Sequence, residues 1–297
     1  MVNKRNKSAL VVEGGGMRGV FAAGVLNAFG SEKFDPFDIY IGVSAGACNL
    51  ASHIAEQNDR NYDIIVKYSS TKRAIDYRRF LFGGHLVDLD WIWEVTIREY
   101  RLDLEKIFNK LQKMNKEYLI VATSMETGKA LYLTPNENTL EHYLKVSSSL
   151  PILYRTILEI NSEEVTDGGV ADSIPVMEAW RRGATDITVI RTRPSDYVKK
   201  DSRISFLFPL IFRRYPLFAE AMKNRPAVYR ESVRFIGNPP EGVQISEIAP
   251  PSYLEVGRVT TDLELLRAAY NSGIEYGKRF IDNQNINNFN RRSNITS

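Results

Sequence analysis

Two strand-loop-helix units stand near the N-terminus, and both have glycines at the turn. The first passes from the apolar segment Ala9–Val12 through GGGMRG to a helix predicted at Val20–Phe29. The second passes from Asp38–Gly42 through a serine turn to a helix predicted at Ala45–Gln57. Short apolar strands that alternate with helices are typical of a parallel sheet covered on both faces. The pattern therefore predicts an α/β fold with a mainly parallel central sheet.

The rest of the chain extends this beginning. Further strands are predicted at Tyr118–Thr123, Ala130–Leu133, Ile157–Ile160 and Ile187–Ile190. The intervening stretch from Asp59 to Met114 has apolar residues at helical spacing, which predicts a helical cap over the sheet.

The C-terminal third differs in composition from the part before it. Asp201–Arg234 is rich in aromatic and basic residues and is predicted to be helical between its prolines, and Thr261–Ile281 predicts a final amphipathic helix. We therefore expect three parts: a catalytic core, a mainly helical C-terminal extension packed on it, and a polar tail, at residues 9–190, 191–283 and 284–297.

The composition excludes several classes of protein. The 297 residues include 43% hydrophobic and 25% charged residues, which are average values for a globular protein. A net charge of +3 is too small to indicate a nucleic-acid partner. The single cysteine, Cys48, excludes an internal disulfide and is typical of a reducing compartment, so we expect a cytoplasmic location.

The pentapeptide Gly42-Val43-Ser44-Ala45-Gly46 is the strongest local signal. It has the form GxSxG and lies between a predicted strand and a predicted helix. A nucleophile elbow needs glycines because the serine is held in a strained turn with other backbone close on both sides. The N-terminus of the following helix also favours developing negative charge. We therefore identify Ser44 as the candidate nucleophile and Gly42 and Gly46 as the elbow glycines.

The segment GGGMRG is the second signal, and it permits two interpretations. It satisfies GxGxxG, but a dinucleotide site needs an acidic residue at the end of the next strand, and Asp38 precedes that strand. Alternatively, the loop supplies backbone N–H groups to an oxyanion hole. A cation opposes the dipole at a helix N-terminus, so Arg18 needs a functional reason to be there, and this favours the second interpretation. A solvated surface arginine is the simpler alternative.

No histidine is placed to activate Ser44 in the α/β-hydrolase order, which requires one late in the chain. The three histidines, His53, His85 and His142, are expected to be surface or cap residues. The remaining candidate base is Asp167, in Asp167-Gly168-Gly169. Two following glycines allow the backbone to pack tightly around the carboxylate, and desolvation would raise its pKa. An ordinary Asp-Gly turn would have the same sequence.

Taken together, GGGMRG, GVSAG and DGG resemble the patatin-like phospholipase family, whose hydrolases use a Ser/Asp dyad. Ser148-Ser149-Leu150-Pro151 and the segment DSIPV are also similar to the family, which usually has DNxPV at the latter. The resemblance covers about Ala9 to Ile190. It implies a lipid-acyl hydrolase that uses Ser44 as nucleophile and Asp167 as base.

By the same resemblance, the oxyanion loop comprises Gly14, Gly15, Gly16, Arg18 and Gly19. Neither a cofactor nor a metal is implied. The expected partner is a lipid or another acyl ester. A dinucleotide-binding protein and a catalytically silent lipid-binding scaffold remain as alternatives.

The segment Ile204–Phe218 combines large apolar residues with Arg213 and Arg214. It is too short and too often interrupted to span a bilayer, which takes about 18 apolar residues. Its composition suits either a buried core helix or peripheral contact with a membrane surface, and both interpretations are kept.

Overall fold

The computed structural model describes residues 6–293, with side chains up to residue 286. Eight strands form one sheet: β1 Lys7–Val12, β2 Ile39–Val43, β3 Glu117–Ser124, β4 Ala130–Leu133, β5 Leu158–Ile160, β6 Glu163–Asp167, β7 Ala184–Ile190 and β8 Gln244–Ile248. Eleven α-helices lie in the described part of the chain: α1 Gly19–Ser31, α2 Ala45–Ile54, α3 Arg60–Ile64, α4 Tyr77–Leu81, α5 Leu89–Glu99, α6 Leu104–Lys113, α7 Leu140–Ser147, α8 Val176–Arg181, α9 Phe208–Ile211, α10 Pro216–Gly237 and α11 Leu263–Ser293.

The sheet has the order β5-β6-β3-β2-β1-β7-β8, and β4 also pairs with β3. Strands β1, β2, β3, β7 and β8 are parallel, whereas β4, β5 and β6 pair antiparallel. The mainly parallel sheet predicted from the sequence is confirmed. Its parallel strands end at one common edge, where loops can bring side chains together.

Both faces of the sheet are covered by helices, as predicted. Along β1 the side chains alternate: Leu10 and Val12 pack in a core formed with α1, α2 and α11, whereas Ala9 and Val11 pack against α8 and α10. All four residues are fully buried. Such burial on both faces explains why β1 has an unbroken apolar sequence.

The structure differs from the sequence-based predictions mainly in the C-terminal third. The extension was predicted to be mainly helical, but it also contributes strand β8 to the central sheet. The strand was missed because this edge strand is partly exposed and lacks a continuous apolar run. Helix α10 runs through Pro226, although a proline was expected to end it, and this ring is buried.

The final helix is also longer than predicted. Helix α11 continues to Ser293 and so includes most of the segment expected to be a polar tail, while residues 294–297 lie outside the described chain. Extending an existing helix costs far less than starting one, which allows it to run into a sequence rich in asparagine.

Candidate active site at the carboxyl edge of the sheet

Ser44 lies in the sharp turn between β2 and α2. Its φ of 54° and ψ of −127° belong to a backbone region that residues with side chains rarely adopt. A Cβ atom at Gly42 would lie 2.5 Å from Ala47 Cα, and one at Gly46 would lie 2.4 Å from Val12 O. The turn therefore requires glycine at both positions, which accounts for the GxSxG spacing.

Strand β3 brings Ser44 and Asp167 together. One edge of β3 pairs with β4, so β2 and β6 share the other edge. Val43 at the end of β2 is opposite Val121, and Asp167 at the end of β6 is opposite Ala122. Because β2 and β6 run in opposite directions along this edge, their C-terminal ends meet. Ser44 directly follows Val43 and is thereby placed beside Asp167.

The Asp167 carboxyl group is enclosed by protein, with 1% of the residue exposed. Its Oδ1 accepts a 2.7 Å hydrogen bond from the N–H of Gly169. Its Oδ2 has no hydrogen bond of ordinary geometry, although the Ser44 hydroxyl is close enough to lower the carboxyl pKa. Burial has the largest effect and raises the pKa of Asp167, while Arg225 opposes that effect by favouring the carboxylate. An uncommitted carboxylate oxygen beside a serine hydroxyl suits a general base.

Ser147, at the end of α7, holds the turn that carries Ser44. Its hydroxyl donates to Val121 O at 2.6 Å and accepts from the N–H of Ser44 at 2.8 Å. The residue is fully buried. Ser147 could not be identified from the sequence, because a serine at the end of a helix has many possible roles and nothing local links it to a turn about 100 residues away.

The glycine loop Gly14–Gly19 packs against the turn that carries Ser44. A Cβ atom at Gly14 would lie 3.2 Å from Ser44 Cβ, which shows how closely the two turns approach. Gly16 has a φ of 57°, and a Cβ atom there would lie 2.7 Å from Arg258 O. The loop is therefore held between the turn that carries Ser44 and the C-terminal extension.

The backbone N–H groups of this loop fall into two sets. Met17 donates to Arg258 O at 3.1 Å, and Gly19 donates to Gly16 O and Met17 O. Within residues 6–293, the N–H groups of the three consecutive glycines that begin the loop donate no hydrogen bond to the protein. These three are therefore available to an oxyanion. Gly19 serves packing, because a Cβ atom there would lie 2.8 Å from Ala45 Cβ.

A buried ionic network fixes the base of the loop. Glu13 accepts hydrogen bonds from Arg191 Nε at 3.3 Å, from Thr192 N at 2.7 Å and from Tyr229 OH at 3.0 Å. Arg191 also pairs with Glu247 on β8 and donates to Tyr229 at 3.0 Å. Because Tyr229 and Glu247 belong to the C-terminal extension, the network links that extension to the glycine loop.

Arg18 is 6% exposed, so the alternative of a solvated surface arginine is wrong. Burial lowers the pKa of Arg18 to about 9, with Arg193 and Arg258 adding repulsion. Its Nε atom makes no hydrogen bond with the protein.

None of the three histidines lines the cavities at Ser44. His142 is exposed and His85 is half-buried, in agreement with the prediction. The prediction was wrong for His53, which belongs to α2 and is 4% exposed, with its ring centre 6.4 Å from that of Tyr40. Burial lowers the pKa of His53 to about 4, so the ring is neutral near pH 7. Nearly all of α2 is buried, because this helix lies inside the fold directly after the Ser44 turn, and this explains the burial of His53.

Two cavities meet at Ser44. One is mainly apolar, has about 1040 Å³ of open space, and extends under the helical cap between Met17, Ile65, Ile92 and Leu144. The other is polar, has about 440 Å³ of open space, and contains Asp167 together with five basic side chains: Arg18, Arg193, Lys199, Arg225 and Arg258. Both cavities share Gly16, Ser44, Leu150 and Arg258. Ser44 therefore lies at the junction of an apolar space and a cationic space.

The dinucleotide hypothesis has no support in this geometry. Asp38, the acidic residue at suitable spacing, accepts hydrogen bonds from Ser8 N and Ser8 Oγ at 2.8 and 3.0 Å, at the start of β2. The glycine loop lies at the opposite end of the sheet, where β1 terminates.

Among the described residues, no group of three or more His, Cys, Asp or Glu side chains is arranged to hold a metal ion. Over the same residues, no helix has both the length and the apolar character for crossing a membrane.

Comparison with protein families decides the broader assignment. A family model described as patatin-like phospholipase matches residues 10–180, more than half of the chain. The chain belongs to the patatin-like phospholipase family. A second model, described only as a domain of unknown function, matches residues 215–286 of this family member. The second match covers α10, β8 and most of α11.

Individual relatives agree with this assignment. The chain is 34% identical over 282 residues to the uncharacterized protein YjjU of Escherichia coli K12, covering 92% of this chain and 76% of that protein. It is 25% identical to lysophospholipase NTE1 of Saccharomyces cerevisiae over 92% of this chain, which spans only 16% of that enzyme.

The fold also matches that of a solved protein. VipD from Legionella pneumophila superposes with a TM-score of 0.50 at 13% identity, over 94% of this chain and 67% of that one. The patatin-like fold predicted from the motifs is confirmed, and family membership supports lipid hydrolase activity in general.

Proposed function

We propose that this patatin-like protein is a serine acyl hydrolase that cleaves lipid esters through an acyl-enzyme. Ser44 Oγ attacks the ester carbonyl carbon while Asp167 accepts the hydroxyl proton. The alcohol leaves after taking up that proton, and a water molecule then attacks the acyl-serine with Asp167 again accepting a proton. The hydrolysis releases a fatty acid and restores both side chains.

The observation that carries the proposal is the position of Ser44. A serine with φ of 54° stands beside a buried aspartate and opens into an apolar cavity. The strained turn exposes the hydroxyl, the buried position raises the basicity of Asp167, and the apolar cavity accepts an acyl chain. The three available N–H groups of the glycine loop are the proposed oxyanion donors, with the Arg18 charge close by.

The substrate we propose is a phospholipid, a lysophospholipid or an acylglycerol. Similarity to a lysophospholipase and membership of a phospholipase family support a lipid ester, and the size of the apolar cavity suits a fatty acyl chain. The location we propose is cytoplasmic, because Cys48 is a free thiol and such thiols are typical of reducing compartments.

Peripheral contact with a membrane is part of the proposal. Within the segment Ile204–Phe218, Phe206, Leu210 and Leu217 are 58–74% exposed, whereas Phe208 and Phe218 are buried. The two earlier interpretations of this segment therefore apply to different side chains. The exposed set shares its segment with the basic residues Arg213 and Arg214, and this combination would favour an anionic bilayer surface.

Fluorophosphonate labelling with mapping of the modified residue by mass spectrometry tests the proposal directly. We expect label on Ser44, and complete loss of both label and ester hydrolysis in Ser44→Ala. The control is Ser173→Ala, which removes another hydroxyl from the wall of the polar cavity beside Ser44. This variant should keep the label. A folded protein that binds lipid vesicles but takes no label would instead be the catalytically silent scaffold.

A further inference from the structure

The cavity on the Asp167 side of Ser44 has more positive charge than the protein neutralises. Five basic side chains line it: Arg18, Arg193, Lys199, Arg225 and Arg258. None of them forms an ion pair within 4 Å among the described residues. The acidic residues in its wall are Glu13 and Asp167, and Glu13 is already committed to Arg191, Thr192 and Tyr229.

Burial and mutual repulsion disfavour the charged forms of these basic side chains. Burial and repulsion from Arg225, Arg258 and Arg18 lower the pKa of Lys199 to about 6, and Glu13 only partly offsets them. Burial and Arg258 lower the pKa of Arg225 to about 10. The Nε atoms of Arg18 and Arg225 are buried without a hydrogen-bond acceptor. Unpaired buried cations destabilise a fold, so an arrangement that concentrates them indicates a binding site for an anion.

We propose that this cationic cavity binds the phosphate group of an anionic acyl lipid, the substrate of the hydrolase proposed above. Arginine forks match the oxygens of phosphate, and several converging cations suit a group with up to two negative charges. Arg258 borders both cavities, as Ser44 does. A lipid can therefore place its acyl chain in the apolar cavity, its ester at Ser44 and its phosphate among the basic side chains.

The proposal also gives the C-terminal extension a role. Arg225 lies on α10 and Arg258 on the loop before α11, and both fall within residues 215–286, the segment matched only by a domain of unknown function. The backbone of Arg258 contacts the glycine loop through the Met17 hydrogen bond. The extension thus supplies four of the five basic side chains, two of them from this segment, while it supports the glycine loop.

Binding to the Ser44→Ala protein tests this inference without relying on turnover. Three soluble probes separate the contributions in titration calorimetry: dihexanoyl phosphatidic acid, dihexanoyl glycerol and inorganic phosphate. We expect phosphatidic acid to bind at least about tenfold more tightly than the neutral diglyceride, with the difference shrinking in high salt. Inorganic phosphate should bind much more weakly than phosphatidic acid, because it lacks the acyl contacts.

Single substitutions locate the phosphate. Arg258→Gln should reduce the preference for phosphatidic acid over diglyceride by about tenfold, the loss expected for one charge-assisted contact. Lys223→Gln removes an exposed charge on α10 two residues before Arg225 and should leave the preference unchanged. If Arg258→Gln does not fold, Lys199→Gln provides the same test, with folding checked by circular dichroism.

Two results would overturn the inference. Equal affinity for phosphatidic acid and diglyceride would show that the cavity does not bind phosphate. Inorganic phosphate that binds as tightly as phosphatidic acid would show a site for free phosphate and not for a lipid head group. Failure of the hydrolase proposal would look different, because the wild-type protein would then bind phosphatidic acid with the expected preference yet hydrolyse no ester.

Discussion

The two cavities that meet at Ser44 are built from different parts of the chain. The apolar cavity is formed mainly by residues 17–150, which include α2 and the helical cap. The cationic cavity combines the glycine loop and Asp167 with side chains from residues 193–258. In the proposed mechanism this division separates three requirements of lipid hydrolysis: the acyl chain is held on one side, the charged group on the other, and the ester bond is cleaved where the cavities join. A mutation should therefore affect one requirement at a time.

The largest effect should come from the residue on which hydrolysis of every substrate depends. Asp167→Asn should lower hydrolysis of all esters by about a thousandfold or more, whatever their acyl chain or head group, because the amide cannot accept the serine proton. Initial rates on a short and a long ester would measure it. The matched control is His85→Gln with His142→Gln, which should retain most activity. His53 is omitted because it is buried and its replacement would disturb the core.

A folded Asp167→Asn protein with more than about a tenth of wild-type activity would rule Asp167 out as the base. Loss of activity in the folded double-histidine variant would instead show that a histidine is needed.

Filling the apolar cavity should affect hydrolysis of long-chain esters more than hydrolysis of short-chain esters. Ile65→Trp adds bulk to the cavity wall, so the ratio of long-chain to short-chain ester hydrolysis should fall about tenfold. Val66→Trp, at the neighbouring position outside that wall, is the control and should keep the ratio. An unchanged ratio in Ile65→Trp would mean that the acyl chain lies elsewhere.

A smaller effect is expected outside both cavities. Phe206→Ser with Leu210→Ser should weaken binding to anionic vesicles severalfold and slow hydrolysis of aggregated lipid, because both side chains are exposed. Tyr253→Ser, an exposed aromatic elsewhere, is the control. Phe208→Ser should instead destabilise the fold by about 3 kcal/mol or more, since Phe208 is buried. Vesicle sedimentation and thermal unfolding separate the two outcomes, and unchanged vesicle binding by the first variant would end the membrane proposal.

The smallest expected effect is a shift in pH dependence. Asp167 must be ionised to accept a proton, and its raised pKa should place the acid limb of kcat/KM above the range of an ordinary aspartate, about 4. Arg225 favours the carboxylate, so Arg225→Gln should raise the pKa further and move the limb to higher pH. Lys223→Gln should not move it. A shift to lower pH in Arg225→Gln would contradict this assignment.

Local sequence was sufficient for the parts of the site that local geometry determines. The glycines around Ser44 and in GGGMRG are needed for close backbone approach, so their spacing is visible in the chain. Ser147, Arg225 and Arg258 could not be found this way, because their roles come from residues that are distant in the sequence, more than 50 positions away in each case. The same limit applies to His53, whose burial depends on how helix α2 packs.

The fold shows a similar division. Strands with continuous apolar sequence, such as β1 and β2, were predicted because burial on both faces requires that composition. Strands β6 and β8 carry polar residues and are specified by the neighbours with which they pair. Asp167 was identified from its DGG motif even though the strand that positions it was missed.

The meeting of β2 and β6 along one edge of β3 has a consequence for local unfolding. Val43, which precedes Ser44, and Asp167 pair with adjacent positions of β3, about 3.3 Å apart along the strand. Detachment of β6 alone would separate the base from the nucleophile while most of the core stayed folded. We therefore expect activity to be lost at lower urea than the global transition, together with faster amide exchange in β6. The stability of one short antiparallel strand would then set the range of conditions in which this enzyme works.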